Sequence, residues 1–382
     1  MLNLIYGLGK IMKILFNELS LYNNCTNYYG QKAQTHKALT NKNFHSATGL
    51  PGVFAVTFCA KPDSTMLLAQ SGKLLCAYSR KPMLSPYTFR SIVPKLAKKT
   101  NAQSAINYLK EYREYMPTVE TEIFDMFEEY GASGKKTFQD ILIEKRPEAL
   151  VRLRQKQTEV LHSTDDYILS LNDEELAEEL LCIRDVALLK VNDGTFGRSD
   201  VLEQLKNIET NDKNKNKVYE VFKSWYKLPR ALKDYDAFVV KYSKFSHIDI
   251  AQRLLSMAVA SVEHIKPYAN GGQDILWNYV LTQMLYNQDK GDMSLYEYDE
   301  LNPEIKIKEN LPKYIDDVCN EIRKGNKYFG CNRKYPEQLR QNIVFETEWQ
   351  HLPEISSSQL NCHDKQIPNS QKGANRYRQN RK

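Results

Sequence analysis

The chain has 382 residues, which is enough for two or three domains because a single hydrophobic core stops growing at about 250–300 residues. Its hydrophobic share of 42% and charged share of 26% are typical of a water-soluble globular protein, and its longest apolar run is too short to cross a bilayer. The net charge of +6 is compatible with a polyanionic partner without demonstrating one. Seven scattered cysteines without a C-x-x-C argue against a disulfide framework and against a structural zinc site. We therefore predict a cytoplasmic protein that does not enter the membrane.

The N-terminal region divides at Met12. Residues 1–11 lack the long apolar stretch and the cleavage site of a signal peptide, and a strand-like run, MKILFNEL, follows them. We expect Met12 to be the natural start, or residues 1–11 to be a loosely attached extension. Residues 12–90 carry short apolar runs between Gly, Pro and Asn, a pattern that predicts strands.

Helical periodicity dominates the next part of the chain. Apolar residues recur at three- and four-residue intervals across 91–230, which predicts a helical insertion. Asn172 or Asp173 can cap the helical run that starts EELAEELL. The stretch 238–257 reads as a strand or turn followed by an amphipathic helix, in which His247 is predicted to be a cap or core histidine.

Three regions complete the predicted organisation. Residues 231–300 form the functional core, and residues 301–355 form a C-terminal packing region. Residues 356–382 have the composition of a disordered tail with a basic excess, which can strengthen nucleic-acid binding through counterion release.

One segment concentrates chemically useful side chains. The stretch SVEHIKPYANGGQDILWNYVLTQMLYNQDKG, residues 261–291, places an acidic residue beside a histidine, and two asparagines and a lysine follow at fixed distances. Residues 258–266 are apolar and β-prone, and Asn270-Gly271-Gly272 supplies a loop able to adopt positive φ. We predict a β-hairpin and then a short helix over 276–285, with Asn287 near its end facing Glu263 and His264.

These residue types suit phosphodiester chemistry. A neutral imidazole can take a proton from water near neutral pH. A carboxylate and an amide oxygen are hard ligands suited to Mg²⁺ or Mn²⁺. A nearby lysine can hold a flanking phosphate as a point charge.

The pattern resembles the HNH nucleases, which have the ββα-metal fold. In that family an acidic residue and a histidine precede I/V-x-P, a glycine-containing loop, an asparagine, a short helix, a second Asn or His and a basic residue. The matching positions here are Glu263-His264-Ile265-Lys266-Pro267, Gly271-Gly272, Asn278, Asn287 and Lys290. The resemblance implies an α+β fold in which a ββα-metal core carries a mostly α-helical insertion.

The resemblance also implies roles for these residues. Glu263 and Asn287 would hold one Mg²⁺ or Mn²⁺, and His264 would be the general base. Asn278 would pin the loop and orient the histidine, while Lys290 would be the basic catalytic residue. Many family members carry Asp at the position of Glu263, so the carboxylate here is one methylene further from the backbone.

A second similarity lies upstream. The segment LLCAYSRKPM, residues 74–83, is similar to the C-P-Y-C-G segment that opens many HNH proteins, with Ser79 at its second cysteine position. The family's downstream cysteine pair falls at Gln283 and Tyr286. We therefore predict that packing replaces the zinc knuckle and that the protein holds no structural zinc.

The leading hypothesis is a metal-dependent DNA endonuclease, in anti-phage defence or a mobile element. RNA is not excluded as a substrate, because such a site reads a phosphodiester and not a base. A non-catalytic nucleic-acid-binding or scaffold protein with a decayed HNH module is the alternative from another class. The expected partners are DNA and, by analogy with defence systems, an ATPase or another component that works beside the nuclease.

Overall fold

A computed structural model describes residues 74–131, 135–208, 212–323 and 335–347. The predictions for residues 1–11, for the strands before residue 74 and for the tail at 356–382 lie outside these described residues. Within them the chain is mostly helical with one two-stranded antiparallel sheet, which is compatible with the predicted α+β class. None of the helices in this part of the chain is long and apolar enough to span a membrane.

The chain divides into two compact units. The larger unit includes the described residues from 74 to 157 and from 226 onward, and the smaller unit includes those from 158 to 225.

Four helices belong to the first part of the larger unit: α1 (Pro86–Leu96), α2 (Ala102–Leu109), α3 (Thr118–Gly131) and α4 (Phe138–His162), the last of which extends beyond residue 157. The side chains of Ser85 and Asn101 cap α1 and α2 by accepting bonds from backbone N–H groups three residues later. The apolar faces of these helices share one core, which contains the fully buried Phe124, Phe127 and Phe138.

The smaller unit contains helices α5 (Asp165–Leu169), α6 (Glu174–Asp193), α7 (Arg198–Asn207) and α8 (Asp212–Trp225). Of the two capping candidates for α6, the structure selects Asp173, whose side chain accepts a bond from the N–H of Leu176. The indole of Trp225 is fully buried and donates to the hydroxyl of Thr164 at 3.0 Å. These contacts fix the ends of the unit's helices around its own core.

The remaining elements of the larger unit surround a small hairpin. They are α9 (Tyr235–Tyr242), α10 (His247–Ser256), β1 (Ala260–His264), β2 (Tyr279–Gln283), α11 (Met284–Lys290), α12 (Leu295–Leu301), α13 (Ile307–Arg323) and α14 (Tyr335–Thr347). Strands β1 and β2 pair antiparallel, with His264 opposite Tyr279 and Ala260 opposite Gln283. Helix α11 follows β2 without a loop and packs on both strands, so the chain forms a β-β-α unit.

The structure corrects the predicted helix over 276–285. A single 3₁₀ turn at Leu276–Asn278 leads into strand β2, and the helix starts only at Met284. All five residues of β2, YVLTQ, are buried, so the strand lacks the alternation of apolar and polar residues that would distinguish it from a buried helix.

Two further predictions of strands differ from the structure. The strand or turn predicted before the amphipathic helix α10 is instead the short helix α9 and a turn. The run KLLCAY contains a tight turn in which the N–H of Cys76 donates to the carbonyl of Lys81 and Arg80 adopts φ +60°. Leu84 forms an isolated bridge with Val259 just before β1, and the N–H of Ala77 donates to the carbonyl of Leu281 in β2 at 2.8 Å.

Candidate active site

Helix α11 lies against strand β1 and brings four of the five predicted site residues together. The amide nitrogen of Asn287 donates to the hydroxyl of Ser261 at 2.6 Å and to the carbonyl of Val262 at 3.0 Å. One turn later the ammonium of Lys290 donates to Glu263 Oε1 at 2.9 Å and to the carbonyl of His264 at 3.0 Å. Asn287 and Lys290 are three residues apart, so they lie on one helical face, and that face is turned toward β1.

The ion pair between Lys290 and Glu263 is buried. Their side chains are 0% and 4% exposed. A buried charge is stable only beside an opposite charge, and here the ammonium and the carboxylate neutralise each other. The ammonium is therefore shielded from solvent, whereas its residue chemistry predicted that this lysine could hold a flanking phosphate.

Asn278 closes the loop between the two strands. Its side-chain oxygen accepts from the N–H of Lys266 at 2.9 Å, and its side-chain nitrogen donates to the carbonyls of Lys266 and Gln273 at 3.0 and 2.9 Å. The oxygen and the nitrogen of this buried side-chain amide thus both form hydrogen bonds with the loop backbone. These hydrogen bonds join the two ends of the loop through one side chain.

Gly272 allows the same loop to fold back on itself. A Cβ atom on this residue would lie only 2.0 Å from the carbonyl oxygen of Lys266. Its own N–H donates to the carbonyl of Pro267 at 2.9 Å. Only a residue without a side chain fits this approach.

The imidazole of His264 contacts two residues that sequence reasoning missed. Its Nε2 lies 2.9 Å from Oδ1 of Asp274, and the same oxygen accepts from the hydroxyl of Tyr279 at 2.6 Å. The Tyr279 ring also meets the imidazole edge to face, with 4.7 Å between centroids. The His264 side chain is 18% exposed, so water can reach the ring. Tyr279 could have been found from the hairpin register, because it pairs directly opposite His264.

Electrostatics keep Tyr279 protonated. Burial raises the pKa of the Tyr279 phenol well above its ordinary value, and the hydrogen bond to the Asp274 carboxylate raises it further. The phenol is therefore a hydrogen-bond donor to Asp274 over the whole physiological pH range.

The four positions that correspond to the family's zinc knuckle do come together. The sulfur of Cys76 accepts from the N–H of Gln283 at 3.4 Å. Burial raises the pKa of Tyr286, and a side-chain hydrogen bond with Ser79 opposes that shift. Hydrogen bonds and packing thus join the turn at Cys76 to the start of α11.

His247 is a core histidine at the first position of α10. It is buried, its Nδ1 accepts from the N–H of Phe138 at 3.0 Å, and burial lowers its pKa. The acceptor nitrogen of the ring is thus bonded to a backbone N–H, which agrees with the predicted cap or core role of His247.

The donor set at Glu263 and Asn287 fits a hard divalent cation. Among the described residues no group of three or more His, Cys, Asp and Glu side chains could hold a metal ion. A site here would therefore use one carboxylate and one amide oxygen, with water as the remaining ligands. Mg²⁺ suits such a set, since it keeps several waters when bound to proteins. The amide nitrogen of Asn287 is bonded to β1, so Oδ1 is the atom of that side chain able to ligate a cation.

Comparison with protein families identifies this region. Residues 244–296, which include α10, the hairpin and α11, match the family model described as HNH endonuclease. This match confirms the resemblance of the segment to the HNH endonucleases. Nuclease activity on a nucleic acid is what this family implies for the segment, and HNH nucleases generally depend on a metal ion. Comparison with curated proteins and with solved structures gave no match.

Proposed function

We propose that this protein is a metal-dependent endonuclease that hydrolyses DNA phosphodiester bonds at the β1–α11 site. The observation that supports the proposal most strongly is the convergence of α11 on β1. The contacts of Asn287 and Lys290 with residues 261–264 bring a carboxylate, an amide and an imidazole to one short stretch of backbone.

Each side chain has a role in this proposal. Glu263 and Asn287 would hold one Mg²⁺ or Mn²⁺, which when bound stabilises negative charge on the phosphate and on the leaving oxygen. His264 takes a proton from the attacking water, whose oxygen forms the new bond to phosphorus as the bond to the leaving oxygen breaks.

The supporting residues hold this arrangement in place. Lys290 neutralises Glu263 and holds the carbonyl of His264, which fixes the backbone that carries the base. Asn278 keeps the loop closed. An anti-phage or mobile-element setting, an ATP-hydrolysing partner and a cytoplasmic location remain predictions that rest on the resemblance and on composition.

Cleavage by the purified protein tests the proposal. Supercoiled plasmid, single-stranded DNA and single-stranded RNA are incubated with Mg²⁺, with Mn²⁺ and with EDTA. We expect metal-dependent cleavage of DNA that falls about 10²–10⁴-fold in His264→Ala, the usual contribution of a general base. His162→Ala is the matched control, since this exposed histidine lies in the smaller unit.

Other results would redirect or reject the proposal. Cleavage of RNA alone would make RNA the substrate. DNA binding without cleavage under any condition would favour the non-catalytic alternative. Full activity in His264→Ala would remove His264 from the mechanism.

Direct binding of Mn²⁺ tests the ligands separately from cleavage. We expect electron paramagnetic resonance titration to show one bound Mn²⁺ in the native protein and weaker binding in Asn287→Ala. Asn270→Ala is the control, because this exposed amide belongs to the loop and donates to the carbonyl of Asp292. Equal Mn²⁺ affinity in the native protein and Asn287→Ala would place the ion elsewhere.

A further inference from the structure

Asp274 stands out among residues near His264, because it meets the imidazole and no motif assigned it a role. Its Oδ1 is 2.9 Å from Nε2 of His264 and 2.6 Å from the hydroxyl of Tyr279. A carboxylate oxygen only accepts hydrogen bonds, so both partners must donate to it. Nε2 therefore carries the hydrogen, and a neutral ring then has its lone pair on Nδ1.

Contacts on two sides hold Asp274 in this position. Tyr279 lies opposite His264 in the hairpin register, so its hydroxyl reaches the same oxygen as the imidazole. The residue before Asp274 is tied down as well, since the carbonyl of Gln273 accepts from the buried side chain of Asn278. The carboxylate is thus oriented although 60% of its side chain is exposed.

We propose that Asp274, held by Tyr279, is a positioning residue that fixes the ring of His264 in its Nε2–H tautomer and directs Nδ1 toward the attacking water. The inference rests on the proposed function, because it assumes that His264 is the base. In the step itself an O–H bond of water breaks, the proton forms a bond with Nδ1, and the electron pair left on oxygen attacks phosphorus.

Geometry rather than charge carries this role. The side chain of Asp274 is 60% exposed, so solvent screens its charge and its attraction to the ring contributes little to stability. A hydrogen bond to the second ring nitrogen nevertheless decides which nitrogen is basic and where it points. The consequence is a defect in the cleavage step of Asp274 variants, with folding and DNA affinity preserved.

The tautomer can be observed without substrate or metal. Long-range ¹⁵N–¹H NMR of histidine-labelled protein is recorded at mildly alkaline pH, where an ordinary imidazole is neutral. His264→Ala assigns the resonance. We expect a single Nε2–H tautomer in the native protein and in Asp274→Asn, and averaged tautomers in Asp274→Ala. A doubly protonated ring, an Nδ1–H tautomer, or spectra that Asp274→Ala leaves unchanged would overturn the proposal.

Single-turnover cleavage tests the consequence for the reaction. Loss of a hydrogen bond that orients a functional histidine commonly costs about 10–100-fold, and we expect that loss in Asp274→Ala. Asp274→Asn keeps an acceptor oxygen and should retain more of the rate, as should Tyr279→Phe, which removes only the supporting hydroxyl. Asp292→Ala is the control, since this residue has an exposed side chain near the loop and bonds to Asn270 through its backbone carbonyl, which the substitution keeps.

A double variant separates positioning of His264 from other roles. If Asp274 acts through His264, adding Asp274→Ala to His264→Ala lowers the rate no further. DNA affinity measured in EDTA should stay within about twofold of the native value, since neighbours of a functional group need not touch substrate. A further loss of rate in the double variant, or a parallel loss of DNA affinity, would show that Asp274 acts on DNA and would overturn the inference.

The two proposals fail in different ways. A native protein that does not cleave any nucleic acid rejects the proposed function, and the NMR result alone then decides whether Asp274 sets the tautomer. A native protein that cleaves, with Asp274→Ala as active as Asp292→Ala, keeps the function and rejects the positioning role.

Discussion

Lys290 carries its charge where water does not reach it. The side chain is 0% exposed, and its ammonium is shared between the Glu263 carboxylate and the His264 carbonyl. Burying two charges is costly, and the pair is tolerated only because each neutralises the other. Removing one partner should therefore cost more than removing an ordinary surface charge.

We expect Lys290→Met to lower the free energy of unfolding by about 3–5 kcal/mol, because it removes the ammonium that neutralises the buried carboxylate of Glu263. Urea unfolding measures the change. Lys244→Met is the control at an exposed lysine and should shift stability by no more than about 0.5 kcal/mol. The Glu263→Gln/Lys290→Met double variant should recover part of the loss. Equal midpoints for Lys290→Met and Lys244→Met would mean that the pair is solvated in solution.

At the scale of elements, the loop between β1 and β2 depends on its two adjacent glycines for different reasons. Gly271 adopts φ +82° with open space around it. Gly272 instead lies under the backbone, where a Cβ would meet the carbonyls of Lys266 and Pro267 at 2.0 and 2.8 Å. Position 271 requires a residue that can adopt positive φ, and position 272 requires a residue without a side chain.

Alanine at each glycine should separate these two demands. Gly271→Ala should cost about 1–2 kcal/mol, the usual penalty of a left-handed conformation. Gly272→Ala should cost more, and it should also slow cleavage, because the loop must open where Asn278 and Asp274 are held. Thermal unfolding and single-turnover rates measure the two effects. A smaller loss of stability in Gly272→Ala than in Gly271→Ala would show that the loop relaxes freely.

The elements also show how far sequence reasoning reaches. The spacing of Glu263, Asn287 and Lys290 predicted their grouping, because a histidine motif on a strand and a following helix restrict where those side chains can lie. The strand β2 was missed because it is buried on both faces and lacks alternation. The contact of Asp274 and Tyr279 with His264 depends on hairpin register, and a slip of one residue would turn Tyr279 to the other face.

For the whole molecule, the distribution of charge matters more than its sum. Residues 158–225, a continuous stretch of the smaller unit, contain 15 acidic and 8 basic side chains, a net charge of −7. Since the chain as a whole carries +6, the other residues carry +13. An acidic surface repels DNA, so we expect phosphate contacts to come from residues outside this stretch.

The salt dependence of DNA binding tests this division. The logarithm of affinity falls with the logarithm of salt concentration by about 0.9 per phosphate neutralised, so losing one contact should lower the slope by about one. We expect that reduction for Lys266→Gln, because this half-exposed lysine lies two residues after the end of β1. Glu178→Gln/Glu179→Gln, at two exposed positions of α6, should leave the slope unchanged and the affinity equal or slightly higher. A weaker affinity in the glutamate variant would show that the smaller unit itself takes part in binding DNA. A salt slope that Lys266→Gln leaves unchanged would mean that Lys266 keeps its ion pair with Glu346 in the complex and contacts no phosphate.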